Sequence, residues 1–168
     1  MPNECRECGG KFKNDETECA YCGTVIYDEN EQLLTELTAV ARKYNEAWVK
    51  GNSLVIENLL ANEYESRLLD ADTEILSNKK EILQNVQISE HVLSYNIYDA
   101  ELIERKNDRA TIRCVQSFAH HQVLFKEDIF ESEITRGTIS FVRRDGRWQL
   151  ISENKVSIDE KGNEISFE

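Results

Sequence analysis

Proline is nearly absent: the 168 residues contain one, Pro2. Nothing therefore breaks a long strand or helix from within. Long apolar runs are missing too. No stretch approaches the roughly 18 consecutive apolar residues of a membrane span, and the first residues have neither the basic start nor the apolar core of a signal peptide. Positive charge is scarce, with 20 Lys and Arg against 32 Asp and Glu and a net charge of −12. A protein that grips nucleic acid must neutralise phosphates, so general DNA or RNA binding is not expected. Two small basic groups, Arg105, Lys106 and Arg109, then Arg143, Arg144 and Arg147, fall beside predicted turns and read as solvated hairpin tips. No P-loop, Gly-rich dinucleotide turn or Ser nucleophile elbow occurs. These absences leave a soluble, cytoplasmic and non-catalytic chain as the expectation.

Cysteine, by contrast, is present in a pattern. Cys5, Cys8, Cys19 and Cys22 form two C-x2-C pairs, and Gly9 and Gly23 each follow the second cysteine of a pair. Two intervening residues let both thiolates of a tight turn reach one ion, and the glycine permits the left-handed backbone of such a turn. Four thiolates with no other nearby ligand predict a closed tetrahedral Zn site, structural because no position is left for water or substrate. Iron also suits four thiolates and is the lesser alternative. A thioredoxin-type redox pair would need a strand-helix setting that the sequence lacks. A disulfide is not expected in a cytosolic chain, and Cys114, in a predicted strand, reads as a buried inert thiol. Apolar side chains are few here (Phe12, Tyr21, Val25, Ile26, Tyr27), so metal binding should supply the folding energy of this head.

From Glu31 to Lys50, Leu33, Leu34, Leu37, Val40, Ala41, Tyr44, Ala47 and Trp48 recur at helical spacing and form one apolar face. Gly51 should end this helix, with Asn52 or Ser53 capping a short second one over Leu54–Leu60. Tyr64 to Leu69 suggests a short strand, closed by a polar turn at Asp70, Ala71 and Asp72. Asn78 and Glu81 form a capping-box variant that opens a third helix running to Ile88. Four long strands then follow: His91–Arg105, Arg109–Val123, Glu133–Arg144 and Arg147–Ile158, with turns at Asn107-Asp108 and Asp145-Gly146. The expected class is α+β, three helices packed in the concave face of a curved, mostly antiparallel sheet, preceded by the metal head.

The head resembles a zinc ribbon of the CxxCG type over about residues 4–26. The order of the rest, with AWVKGN at the end of the first helix and DGRW followed by Leu150 and Ile151, resembles the nuclear transport factor 2-like superfamily, which includes ketosteroid isomerase and polyketide cyclases. The resulting division is 1–27 ribbon, 28–30 acidic hinge, 31–160 cone domain and 161–168 tail. The resemblance implies a pocket between the first helix and the sheet, lined by Tyr44, Trp48, Tyr64, Phe118, Phe141 and Trp148, which those bulky side chains can also fill. Candidate acids and bases are Asp70, Asp72, Tyr95 and His120. His120 and His121 must face opposite ways along a strand, and a single inward His is more often structural than catalytic. The His that many cyclase-like relatives carry after the Trp-containing turn is replaced by Ser152, Glu153, Asn154 and Lys155. The expected role is a non-catalytic protein binding a small apolar ligand or a protein partner, and the alternative is a small proton-transfer enzyme. A third reading, a sensing or scaffold protein related to membrane-anchored ribbon proteins, lacks the span that joins the two parts there. A homodimer through the sheet is also implied.

Overall fold

The computed structural model of the chain describes residues 4–13, 16–25, 28–88 and 92–165. In chain order the elements are α1 (Glu29–Val49), α2 (Ser53–Leu59), β1 (Leu60–Asp70), β2 (Thr73–Asn78), α3 (Lys79–Ile88), β3 (Val92–Lys106), β4 (Arg109–Leu124), β5 (Glu127–Arg144) and β6 (Arg147–Ile158). The strands form one sheet in the order β2-β1-β6-β5-β4-β3. Only the β1–β6 pair is parallel; the other four are antiparallel. The expected α+β class holds.

Asp28 caps α1, its carboxylate accepting from the Asn30 N–H at 2.9 Å, and Glu29 and Glu31 occupy the positive end of the helix dipole. Residues 28–30, expected as a hinge, are thus the cap and first turn of the helix. The buried face contains Leu33, Leu37, Ala41, Tyr44 and Ala47, and it is rotated enough to include the polar Thr38 and Asn45. Gly51 takes φ +64°, left-handed, and Asn52 then caps α2 by accepting from the Val55 N–H at 3.2 Å. At α3 the capping box closes reciprocally: Asn78 N–H donates to Glu81 Oε2 at 2.8 Å, and Glu81 N–H donates to Asn78 Oδ1 at 3.0 Å.

The core lies between α1, α2 and one face of the sheet, with Leu37, Ile56, Leu60, Tyr64, Ile112, Ile139, Phe141 and Leu150 at most 1% exposed. Along β4 the inward residues are Ala110, Ile112, Cys114 and Gln116, which pair with Phe141, Ile139, Gly137 and Thr135 of β5. On β6 the alternation is interrupted. Leu150 pairs with Phe141 but Ser152 pairs with Ser140, so Ile151 is an extra residue in the ladder. Beyond this bulge the inward side chains are Glu153, Lys155 and Ser157.

Several bounds differ from the sequence reading. Leu60, expected as the end of the second helix, opens β1 and pairs with Leu150. β2 was not expected as a strand, and it closes a hairpin with β1 across the Asp70–Thr73 turn. β5 starts at Glu127 rather than Glu133, because Phe125 and Lys126 both take positive φ (53° and 68°) and join it directly to β4. The expected strand start at His91 lies outside the described residues, as do Ile26 and Tyr27 of the head. Within the expected tail, Ile165 N–H donates to the Ser157 carbonyl at 3.2 Å, so the chain doubles back along β6.

Candidate functional site

Two places in the molecule carry chemistry. The first is built by two matching turns. Gly9 N–H donates to the Cys5 carbonyl and Gly23 N–H to the Cys19 carbonyl, both at 2.8 Å, with φ of +71° and +70° at the two glycines. Each turn thereby aims its two sulfurs at a shared point. The four Sγ atoms lie within 4.8 Å of one another, with Cys5–Cys22 and Cys8–Cys19 at 3.6 Å. Tetrahedral Zn–S bonds of about 2.3 Å require sulfurs roughly 3.8 Å apart, so the cluster fits such an ion. Cys5 and Cys19 are the only buried residues among the described residues 4–25. Thr24 Oγ1 lies 3.1 Å from Cys22 Sγ, near enough to donate to a metal-bound thiolate.

The second place is the inner face of the sheet under α1. Glu153 is 1% exposed, and its Oε2 meets Lys155 Nζ at 2.8 Å. Lys155 also donates to the Tyr95 hydroxyl at 3.2 Å. Burial lowers the Lys155 pKa more than any one neighbour raises it, but the Glu153 charge and hydrogen bond together with Tyr95 and Tyr44 outweigh that and hold the ammonium protonated well above its ordinary range. Around this pair stand three tyrosines. Burial, reinforced by the Glu153 charge, raises Tyr44 and Tyr64, and burial pushes Tyr95 up to about 12 against the opposing pull of Lys155. Burial likewise pushes the Cys114 thiol up to about 12, the state of an inert core thiol.

The residues singled out from the sequence divide between this cluster and elsewhere. Tyr44 meets Trp48 edge-on at 6.4 Å and Tyr95 at 6.5 Å, and Tyr95 meets Phe118 at 5.2 Å. Tyr64 lies within the field of Tyr44 and Glu153. Phe141 is fully buried in the core. Trp148 stands beside the β5–β6 turn under Arg143, 5.9 Å away. His120 packs on Phe118 at 5.4 Å, and its Nε2 meets Glu131 at 3.2 Å. His121 pairs instead with Asp128 at 2.9 Å and stacks on Phe130 at 4.6 Å. Asp70 and Asp72 flank the exposed β1–β2 turn, away from the buried cluster. Both basic groups are partly neutralised: Arg105 lies 3.7 Å from Glu29 and also donates to Asn30 Oδ1, and Arg144 pairs with Glu63.

Sequence reasoning did not single out Asn45, Gln116, Glu153 or Lys155 for the interior. Strict alternation from Leu150 would put Ser152 and Asn154 inward and send Glu153 and Lys155 to solvent. The bulge at Ile151 inverts that assignment. The available signal was two opposite charges two residues apart, and so on one face, in the final strand RWQLISENKVSI.

No family profile matches the chain, and no curated protein matches it. Solved structures do. A Xanthomonas campestris protein provisionally named a calcium/calmodulin dependent protein kinase II association domain is 19% identical, with TM-score 0.58 over 74% of this chain and 87% of that one. An NTF2-like protein of unknown function in nutrient uptake from Rhodospirillum rubrum is 18% identical, with TM-score 0.58 over 73% and 98%. A Novosphingobium aromaticivorans protein provisionally named scytalone dehydratase is 12% identical, with TM-score 0.59 over 77% and 87%. At these identities the likeness is one of fold alone: the chain has the NTF2-like, cone-shaped α+β fold, with a metal-compatible cysteine cluster ahead of it.

Proposed function

We propose that this chain is a non-catalytic, cytosolic binding protein in which Zn2+ on Cys5, Cys8, Cys19 and Cys22 folds an N-terminal ribbon and the cone interior takes a small ligand. The observation that carries the reading is the Glu153–Lys155 pair deep in the cone. A general base must be free to accept a proton, whereas one oxygen of Glu153 already rests on an ammonium. The neighbouring tyrosines are poor acids at neutral pH because burial raises them. The reducing cytosol suits a thiolate metal site, and no helix among the described residues is long and apolar enough to cross a membrane.

The proton-transfer enzyme is the second reading, favoured by one feature: Glu153 Oε1 is buried and has no hydrogen-bond partner. Exchange of the α-protons of cyclohexanone into deuterated water separates the two. The binding reading expects the rate of the buffer blank. Exchange above the blank that disappears in Glu153→Gln would establish the enzyme instead. Metal analysis of the same sample should return one zinc per chain and no visible absorption; iron would show as colour. A homodimer through the outer sheet face, where Tyr98 is 50% exposed beside Val115, belongs to the same proposal and is tested by light scattering.

A further inference from the structure

The two edges of the sheet are unlike. β3, at one edge, slips register three times, between Val92 and Ser94, Tyr98 and Glu101, and Leu102 and Glu104, and Asp99 within it takes φ +49°. Bulges and acidic side chains of this kind keep a strand from accepting another. β2, at the opposite edge, pairs with β1 one to one from Asp70–Thr73 to Glu65–Asn78 without a bulge. It contains no Pro or Lys, its one charge is Glu74, and Thr73, Glu74, Ile75 and Leu76 are all exposed. The two-residue turn makes Asp70 and Thr73 a hydrogen-bonded pair, so Thr73, Ile75 and Ser77 bond to β1, while the N–H and C=O groups of Glu74, Leu76 and Asn78 point off the sheet. The Asn78 N–H obeys this alternation, since it donates to Glu81 Oε2 and not to β1. Glu74 and Leu76 thus present two donors and two acceptors to whatever lies beside them.

Those groups complement themselves. A two-fold axis perpendicular to a sheet pairs residues that face the same way, so it must pass through a residue of β2 and not between two. On Glu74 it would set two carboxylates directly opposite each other, which is unfavourable. On Leu76 it would set Glu74 against Asn78, whose N–H is already taken by Glu81 at 2.8 Å. On Ile75 it sets Glu74 of each copy against Leu76 of the other, two hydrogen-bonded pairs that use every free backbone group of both residues. It also brings the two Ile75 side chains, 46% exposed in the single chain, together as a close non-hydrogen-bonded pair. Charge is matched as well: Arg67 of β1 pairs with Glu74, so the edge is neutral and needs no cation from a foreign segment. A second copy arrives with its edge already straight, without the ordering cost of a flexible peptide. We propose that two copies of the chain join β2 to β2 about a two-fold axis at Ile75, running their six-stranded sheets into one. This contact is separate from the outer-face one at Tyr98.

An edge contact of this length falls at the small end of interface sizes, below about 1,200 Å² in total, so the dimer should be reversible, with a dissociation constant in the tens of micromolar. The test uses the full chain carrying Tyr98→Asp, which removes any outer-face contact. Sedimentation equilibrium of that chain should still show the dimer, and adding Leu76→Pro should weaken it at least about tenfold with the urea midpoint unchanged. Proline is selective here because the Leu76 N–H points away from β1, so it removes a bond of the dimer and none of the hairpin. A Tyr98→Asp chain that stays monomeric up to millimolar concentration would overturn the proposal, and so would a dissociation constant that Leu76→Pro leaves in place. Should Leu76→Pro fail to fold, hydrogen exchange in the Tyr98→Asp chain decides. The Glu74 and Leu76 amides, unbonded in the single chain, should slow as concentration rises while those of Thr73 and Ser77 hold constant; exchange at Glu74 and Leu76 that ignores concentration overturns the edge assignment.

Discussion

Lys155 and Glu153 act on the fold as one unit, and the asymmetry of buried charge says how they should respond to substitution. Lys155→Met leaves the Glu153 carboxylate buried beside an apolar group, and a broken buried pair typically costs about 3–5 kcal/mol. Replacing both, as Glu153→Leu with Lys155→Met, removes the charge along with its partner and should cost far less than Lys155→Met alone. Urea unfolding of the two variants checks this, and equal losses would mean that the pair is not desolvated as the structure has it. Gly137 stands next to Lys155 in the ladder, and a Cβ there would meet the Asn154 carbonyl oxygen at 1.9 Å. Backbone has to move to admit it, so Gly137→Ala should destabilise by about 1–3 kcal/mol in the same measurement. Neither feature is visible from residue type alone. Glu153 and Lys155 change faces because of one extra residue at Ile151, and the crowding at Gly137 exists only once β5 and β6 are paired.

Elements were more legible than residues where local chemistry fixes them. The period of α1, the glycine at its end and the reciprocal Asn78–Glu81 cap are properties of short stretches, and the structure contains each. The β4–β5 turn was hidden because Phe125 and Lys126 adopt positive φ without the Asn or Gly that announces such a turn. β2 was hidden for a different reason: with Leu76 66% and Ile75 46% exposed at the edge of the sheet, it has no buried face to impose an alternation. The N-terminal cysteine segment has the least of its own to hold it. Its described residues bury only Cys5 and Cys19, with Tyr21 75% and Val25 47% exposed, so under the proposed metal binding an ion would stand in for a core. Excess chelator should therefore collapse the amide resonances of Gly9 and Gly23 while those of β4 and β5 persist. Dispersed ribbon resonances in a sample proven free of metal would refute this.

At the scale of the whole molecule, buried protons couple the interior to pH. Tyr44, Tyr64 and Tyr95 all hold their protons more tightly when folded, as does Cys114, each chiefly because burial disfavours the anion. A group raised by folding contributes stability that is complete below its unfolded pKa and lost as pH climbs toward the folded one. For Cys114 and Tyr95 that window runs from the ordinary values of 9.0 and 10.0 up to about 12 in both cases. Lys155 acts in the same direction, since its ammonium is held well above 10.5 by Glu153 despite burial. Deprotonation also deepens a net charge that is already −12 and adds self-repulsion. The acid limb has the opposite sign: Arg144 holds the exposed Glu63 down to about 2, so that contribution is present above 4.5 and fades only as pH falls toward 2. The molecule should thus resist mild acid better than strong alkali. In a variant with Tyr21, Tyr27 and Tyr98 changed to Phe, tyrosinate absorbance from the remaining three should rise only together with loss of the sheet's circular dichroism. Ionisation that is reversible and complete while the dichroism stays intact would place those hydroxyls in contact with water and refute their burial under α1.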